Sequence, residues 1–250
     1  MLQEIYDLLM KAFHAATEEM ASFKFDRYKP VDRTIAALYA TIYEEVDTAI
    51  CLYDAKKYTG AQLVLRPLLE AHVDLVAIIK DPGYVEFMEA SHDHEWLRFL
   101  RNGFKGTNPF LQTFWNNIDV QNEIAAIESR LDGFKKNKVR PLHVAERFAR
   151  ADMIEEYESI YNDLCCQTHN NLRALIRRHI EIDDQQKTFQ LVINAKPPEE
   201  SIGSLLDGLL GFILSSSIFV HRHFNSQAVK RFEDLDVKRS GLLKNMQATP

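Results

Sequence analysis

Two stretches place ionisable side chains where helix geometry would let them work together. In LVLRPLLEAHVDL, residues 63–75, Arg66 and Glu70 stand four apart inside an apolar run. That spacing puts them on one helix face, where they can pair. In YESIYNDLCCQTHNNL, residues 157–172, Tyr157, Tyr161, Cys165 and His169 recur every four residues. They make one stripe of phenol, phenol, thiol and imidazole. An unpaired buried charge is very costly, so Arg66 and Glu70 require partners, and the stripe offers them. A Glu70 carboxylate accepting from His169 or Tyr161 would fix the imidazole tautomer. Read functionally, Arg66, Glu70, Tyr161 and His169 form a ligand-binding cluster, with Arg66 holding an anion and His169 serving as acid, base or ligand contact. Read structurally, the same network fixes helix register and does no chemistry.

The motifs LRPLLEA and YESIYNDLCCQTHNNL resemble an uncharacterised, mainly bacterial helical family labelled domain of unknown function 5677. Its members carry an Arg-x-x-x-Glu helix, then a Tyr-x-x-Leu-Ser-x-x-x-His helix. The family positions fall on Arg66, Glu70, Tyr161 and His169, and Cys165 stands where the family usually has serine. A role that needs a hydroxyl at 165 is therefore not carried over. By order of elements the resemblance extends over roughly residues 30–225. It brings no established activity. By analogy it implies a cytosolic stress or phage-defence protein whose polar pocket recognises a ligand or partner.

A second resemblance supplies the alternative. In NNLRALIRRH, Arg173 and His179 fit the Arg-x(4–6)-His motif of HEPN ribonucleases, which are helical bundles that cleave RNA without metal, commonly across a dimer interface. On that reading Arg173 grips the phosphate and His179 or His169 is the base. Arg66 and His72 fit the same pattern, so the motif alone discriminates poorly. Two basic clusters would meet the RNA: Lys135, Lys136, Lys138, Arg140, Arg147 and Arg150 in residues 135–150, and Arg173, Arg177, Arg178 and His179 in residues 173–179. The nearby acids Asp152, Glu155, Glu156 and Glu158 make a solvated mixed face the plain alternative.

Other combinations lead nowhere. Glu89-x-x-His92 is half of a di-iron motif and has no second copy. The pairs His92/His94 and His221/His223 are two apart, on different sides of a helix, and no Cys-x-x-Cys accompanies them. No metal and no cofactor is expected. Gly-rich phosphate loops, dinucleotide fingerprints and nucleophile elbows are missing.

The elements that must position these residues are helical. Glycine and proline are scarce, at 9 and 8 of 250 residues, and apolar residues repeat at helical spacing. The pattern predicts helices near 2–22, 32–57, 59–80, 84–102, 109–134 with a break near 116, a short one after Pro141, one capped by Asp152, and two more at 199–224 and 226–245. Asn108-Pro109 reads as an N-cap followed by proline at the first helical position. Pro67 lies inside the third helix, where a kink is expected and the Leu63 carbonyl is freed, with the Arg66 guanidinium as a candidate donor. That helix is apolar nearly all round and should be central. One small β-hairpin is expected near residues 179–195, with its turn at 183–186, supported by a neighbouring helix. The fold class is thus an all-α multi-helix bundle of seven to nine helices with one hairpin. Residues 1–250 read as a single helical domain, with the core roughly at 30–225 and the terminal helices packed on it.

Bulk properties agree with this. The formal net charge of −6 argues against generic nucleic-acid binding. Three cysteines, Cys51, Cys165 and Cys166, form no disulfide framework and fit a reducing cytoplasm. The N-terminus lacks the pattern of a signal peptide. The apolar run at residues 205–220 is too short for a bilayer and contains Asp207, so it reads as a core helix and no membrane partner is expected. The amphipathic terminal helices favour a homodimer. The last residues, 246–250, are expected to fray.

Overall fold

The structure is a computed structural model that describes residues 2–169, 171–183 and 188–248. The expected hairpin turn at 184–186 and the terminus at 249–250 lie outside them. Eleven α-helical segments and one two-stranded antiparallel hairpin are present among the described residues. The fold is therefore all-α with a small hairpin. The chain divides into two compact units, Met1–Lys80 with Phe148–Pro250, and Asp81–Arg147.

In the first unit, α1 (Leu2–Glu19), α2 (Pro30–Asp54), α3 (Tyr58–Lys80), α10 (Glu199–His223) and α11 (Val229–Ala248) form the bundle. α10 packs against α1, α2, α3 and α11. Its residues Leu205, Leu206, Leu209, Leu210, Ile213, Leu214 and Val220 are buried. By length and composition α10 alone, among the described residues, would be apolar enough to cross a membrane, yet more than half of its most apolar window is buried inside the protein. Its few polar residues fix how it docks. Ser216 Oγ is 2.8 Å from His72 Nδ1 on α3, and Ser217 Oγ is 2.8 Å from the fully buried Tyr39 hydroxyl on α2. Asp207 takes a bidentate pair from Arg239 of α11, at 2.7 and 2.9 Å. Gly211 makes room for it, because a Cβ there would meet the guanidinium at 3.0 Å. Near the end of α10, His221 is fully buried among Phe23, Tyr39 and Phe232, and neither ring nitrogen has a hydrogen-bond partner among the described residues. Burial holds its ring below the usual imidazole range.

α3 continues through Pro67, which lies on its exposed side, where water can serve the freed carbonyl. Beyond the proline every residue from Leu68 to Ile78 except Glu70 is buried, as a central helix requires. α3 pairs most extensively with α2.

The second unit is built from α4 (Tyr84–Phe104), a 3₁₀ segment (Pro109–Phe114) and α5 (Ile118–Lys136). Leu97, Leu100, Val120 and Ile127 form its core, with Trp96, Phe104 and Phe114 packed on it. Arg130 clamps the buried Asp93 at 2.7 and 2.8 Å. Asn108 does act as a cap, its side chain accepting from Phe110 N at 3.0 Å, but Pro109 opens a 3₁₀ turn and Asn117 caps α5 instead. Gly103 lies within α4 and does not end it; a Cβ there would stand 2.8 Å from Phe114 Cβ, so glycine permits that close approach.

The next helix, α6 (Val144–Arg150), ends just before Asp152. Asp152 does not cap the helix after it. It adopts φ 58° and terminates α6, with Asp152 N–H on the Ala149 carbonyl and Met153 N–H on that of Phe148. This is a Schellman motif. Lys56, Lys138 and Asn225 end α2, α5 and α10 in the same way, at φ 58°, 60° and 53°. A side chain in this left-handed region is disfavoured. Lys138→Gly is therefore expected to stabilise the protein by about 1 kcal/mol, read as an increase in urea midpoint with unchanged slope.

A pH effect arises from His72. Burial pushes its imidazole down to about 4. Between the ordinary histidine value and about 4 the unfolded chain takes up a proton that the native state refuses, so stability falls as pH falls through that window. The loss should reach roughly 3 kcal/mol at its acid end. His72→Gln should flatten this part of the urea midpoint against pH profile; an unchanged slope would remove His72 as its source.

Candidate functional site

The site forms where α3 meets the helix after α6. That helix is not regular: α7 (Ile154–Glu156) leads into a π turn at Tyr157–Tyr161 and then α8 (Asn162–Thr168). π turns recur at functional sites, because the extra residue re-aims the side chains of the next turn. Here the stretch is seated on Phe148, fully buried, whose ring lies 5.5 Å from Tyr157 and 5.1 Å from Tyr161. The two tyrosine rings stack at 5.5 Å. At the far end of α3, Lys80 Nζ donates to the Ala151 carbonyl at 2.6 Å and pairs with Asp152 at 2.9 Å, tying α3 to the end of α6.

Arg66 is the hub. Its Nε donates to Glu70 Oε1 at 3.2 Å and its Nη2 to the Tyr161 hydroxyl at 3.2 Å. Its Nη1 donates to Thr168 Oγ1 at 3.1 Å and to His169 Nε2 at 2.6 Å. Tyr161 in turn donates to Glu70 Oε1 at 3.1 Å. The guanidinium also lies 5.4 Å from the Tyr161 ring centroid, a cation–π contact. The Arg66 and Glu70 side chains keep 23% and 26% of their exposure, so the ion pair is screened but not open. Tyr161 is buried and His169 is exposed. Burial lowers the Arg66 pKa, but the Tyr161 hydrogen bond and the charges of Tyr161, Cys165 and Glu70 outweigh it and raise the value overall. The Tyr161 phenol is pushed up to about 12, first by burial, against the lowering effect of its Arg66 hydrogen bond. It therefore stays protonated and serves both neighbours, accepting from Arg66 and donating to Glu70.

The His169 tautomer is set by its partner. Arginine has no acceptor, so the Nε2 lone pair must accept, and the ring proton sits on Nδ1. An imidazole held this way can donate from Nδ1. It has no lone pair left to act as a base while the contact stands.

Spacing thus gathers Arg66, Glu70, Tyr161 and His169 into one network, as the sequence led one to expect. Of the two donors expected for Glu70, Tyr161 is the one engaged, and His169 meets Arg66. One detail differs: the guanidinium is turned to these partners and makes no bond to the Leu63 carbonyl among the described residues. Thr168 is a participant that spacing did not reveal. Its hydroxyl accepts from Arg66 and donates back to the Leu164 and Cys165 carbonyls, at 3.0 and 3.1 Å. The available signal was a β-branched hydroxyl in the last turn of a helix, where such back-bonding is common. Cys165 is half-buried and free, and its thiol is a hydrogen-bond neighbour of Tyr161.

Arg173 and His179 lie on α9 (Leu172–His179), outside this network. They stand six positions apart, which is about 9 Å along the axis and about 120° around it. Within one chain they do not share a face. Arg173 is exposed, and His179 Nδ1 donates to the Val192 carbonyl at 3.1 Å. Of the basic clusters, Arg140 is clamped on Glu146, at 2.9 Å through one nitrogen, and Arg178 donates to the Gln167 carbonyl.

A model of a family of unknown function, DUF5677, matches residues 32–187. The chain belongs to this family. The matched span contains both motifs of the DUF5677 cluster and ends at the hairpin, before α10; it is shorter at its C-terminal side than the order of elements implied. No curated protein and no solved structure matches the chain.

The network predicts coupled stability effects. Tyr161→Phe removes one partner each from Arg66 and Glu70 and should cost about 1–2 kcal/mol; Thr168→Val should cost about 0.5–1.5 kcal/mol. Tyr161→Phe combined with Glu70→Gln should cost less than the sum of the two single changes. Additivity in urea unfolding would show that these groups do not act as one network.

Proposed function

We propose that the Arg66–Glu70–Tyr161–His169 cluster is a recognition site for an anionic or carbonyl-bearing group of a ligand or partner, and that it is not an acid–base centre. The observation that carries this is the 2.6 Å contact from Arg66 Nη1 to His169 Nε2. It uses the lone pair that general-base catalysis would need and leaves the Nδ1–H as a donor on an exposed residue. Glu70 and Tyr161 hold the guanidinium in place, and one Nη2 hydrogen remains without a partner among the described residues. A fixed cation beside a fixed imidazole donor suits a carboxylate, a phosphate or a polarised carbonyl. The family match supports this reading to the extent that both helices of the cluster lie inside it.

A metal-independent ribonuclease built on Arg173 and His179 has less support. The two side chains face apart on α9, and the His179 ring is engaged with the Val192 carbonyl.

Inorganic phosphate and acetate are suitable probes. The melting temperature of the wild type should rise saturably with at least one of them. His169→Ala, at an exposed helix end, should melt close to the wild type and lose that rise. A rise that persists in His169→Ala, or no response to either probe, would refute the proposal. Incubation with RNA in a chelating buffer separates the two readings, since recognition predicts intact RNA.

A further inference from the structure

After α9 the chain forms β1 (Ile180–Asp183) and β2 (Thr188–Leu191). The strands pair antiparallel with Ile180 opposite Leu191, Glu181 opposite Gln190, Ile182 opposite Phe189 and Asp183 opposite Thr188. Residues directly opposite share a face. One face of the ribbon is therefore Ile180, Ile182, Phe189 and Leu191, and the other carries Glu181 and Gln190. A two-stranded hairpin is marginal in water and needs its apolar face covered. The helix expected to cover this one does not. Ile182, Phe189 and Leu191 are 66%, 75% and 71% exposed, and Ile193 just beyond is 75% exposed. On α9, Leu172 and Ile176, four apart, are also exposed.

The two edges of the ribbon differ. β1 carries Glu181, whose carboxylate repels a second copy of the same strand. From Thr188 to Ala195 there is no charge and no proline. β2 is thus an unguarded edge, and one that can meet itself without like-charge contact. Its free hydrogen-bonding groups can be assigned. Val192 N–H donates to the His179 carbonyl at 2.8 Å, so residues 192, 190 and 188 face β1. By alternation the N–H and C=O of Phe189 and Leu191 face outward.

We propose that β2 is the homodimer interface: two copies pair antiparallel about a twofold axis at Gln190, giving a continuous four-stranded sheet. Phe189 then stands opposite Leu191 of the second copy, exchanging both outward hydrogen bonds. Gln190 faces Gln190 on the polar side, where two amides can bond. The apolar faces of both hairpins merge on the other side. A twofold contact of one edge closes on itself, whereas a β1-to-β2 contact would grow into a filament, and the Glu181 carboxylate leaves the β1 edge unused. The four exposed apolar side chains of each copy present on the order of 500 Å². With the strand edge and polar face added, this approaches the roughly 800 Å² per partner of a stable pair. The placement differs from the terminal helices, whose apolar faces pack within the bundle.

The test is sedimentation velocity on the full chain across a concentration series. The wild type should sediment as a dimer that dissociates on dilution. Gln190→Lys and Gln190→Glu each set like charges face to face on the axis and should be monomeric at concentrations where the wild type is dimeric. An equimolar mixture of the two should regain the dimer. Leu191→Pro removes an outward N–H, leaves the β1–β2 ladder its own bonds, and should also be monomeric. Helical circular dichroism like that of the wild type confirms folding in each case. A monomeric wild type at its highest soluble concentration, a dimer that survives these substitutions, or a Lys/Glu mixture that stays monomeric would each overturn the proposal.

Discussion

A half-buried guanidinium governs the arrangement around it. Arg66 sits one residue before the proline of α3, where a hydrophobic helix turns from partly covered to wholly buried. A charge at that depth tolerates few environments. Glu70 one turn on answers the charge. Tyr161, Thr168 and His169 answer the remaining donors, and all three come from one irregular helix. Holding that helix in place is the task of Phe148 beneath the tyrosines and of Lys80 at the far end of α3. The local structure from Ala151 to His169 is thus subordinate to the needs of one side chain.

The bundle solves a related problem with different means. α10 is apolar enough to slide or rotate among its neighbours without much cost in buried area. Ser216, Ser217 and Asp207 remove that freedom, because each has a specific partner on α3, α2 or α11. A buried polar atom is expensive when its partner is missing, so each such pair penalises the wrong register more than it rewards the right one. The fully enclosed His221, with neither nitrogen hydrogen-bonded among the described residues, marks a place where aromatic packing has prevailed over polar satisfaction.

Much of this was legible in the sequence, for identifiable reasons. Arg66, Glu70, Tyr161 and His169 announced themselves through four-residue spacing inside sequences that should have been apolar. Asp207 stood out in the same way. The helix ends were harder. Lys56, Lys138, Asp152 and Asn225 adopt conformations usually left to glycine, so the stop signals were disguised, and Asp152 looked like a start. The π turn changes local spacing without altering composition, which hid Thr168; together with the break between α8 and α9 it divides the one helix expected after Asp152 into three, raising the count of helical segments from nine to eleven. Periodicity found the hairpin but was silent on whether anything covered it, since exposure is a property of the whole chain and not of a strand.

The π turn has a further consequence for how this sequence can vary. It accommodates one residue more than an α-helix would between Phe148 and the cluster. Deleting one residue of Tyr157–Tyr161 would let the helix relax to regular geometry and would keep everything downstream in register. Thr168 and His169 would then still face the guanidinium. The same deletion within α8 has no bulge to absorb it and would swing His169 by about 100°.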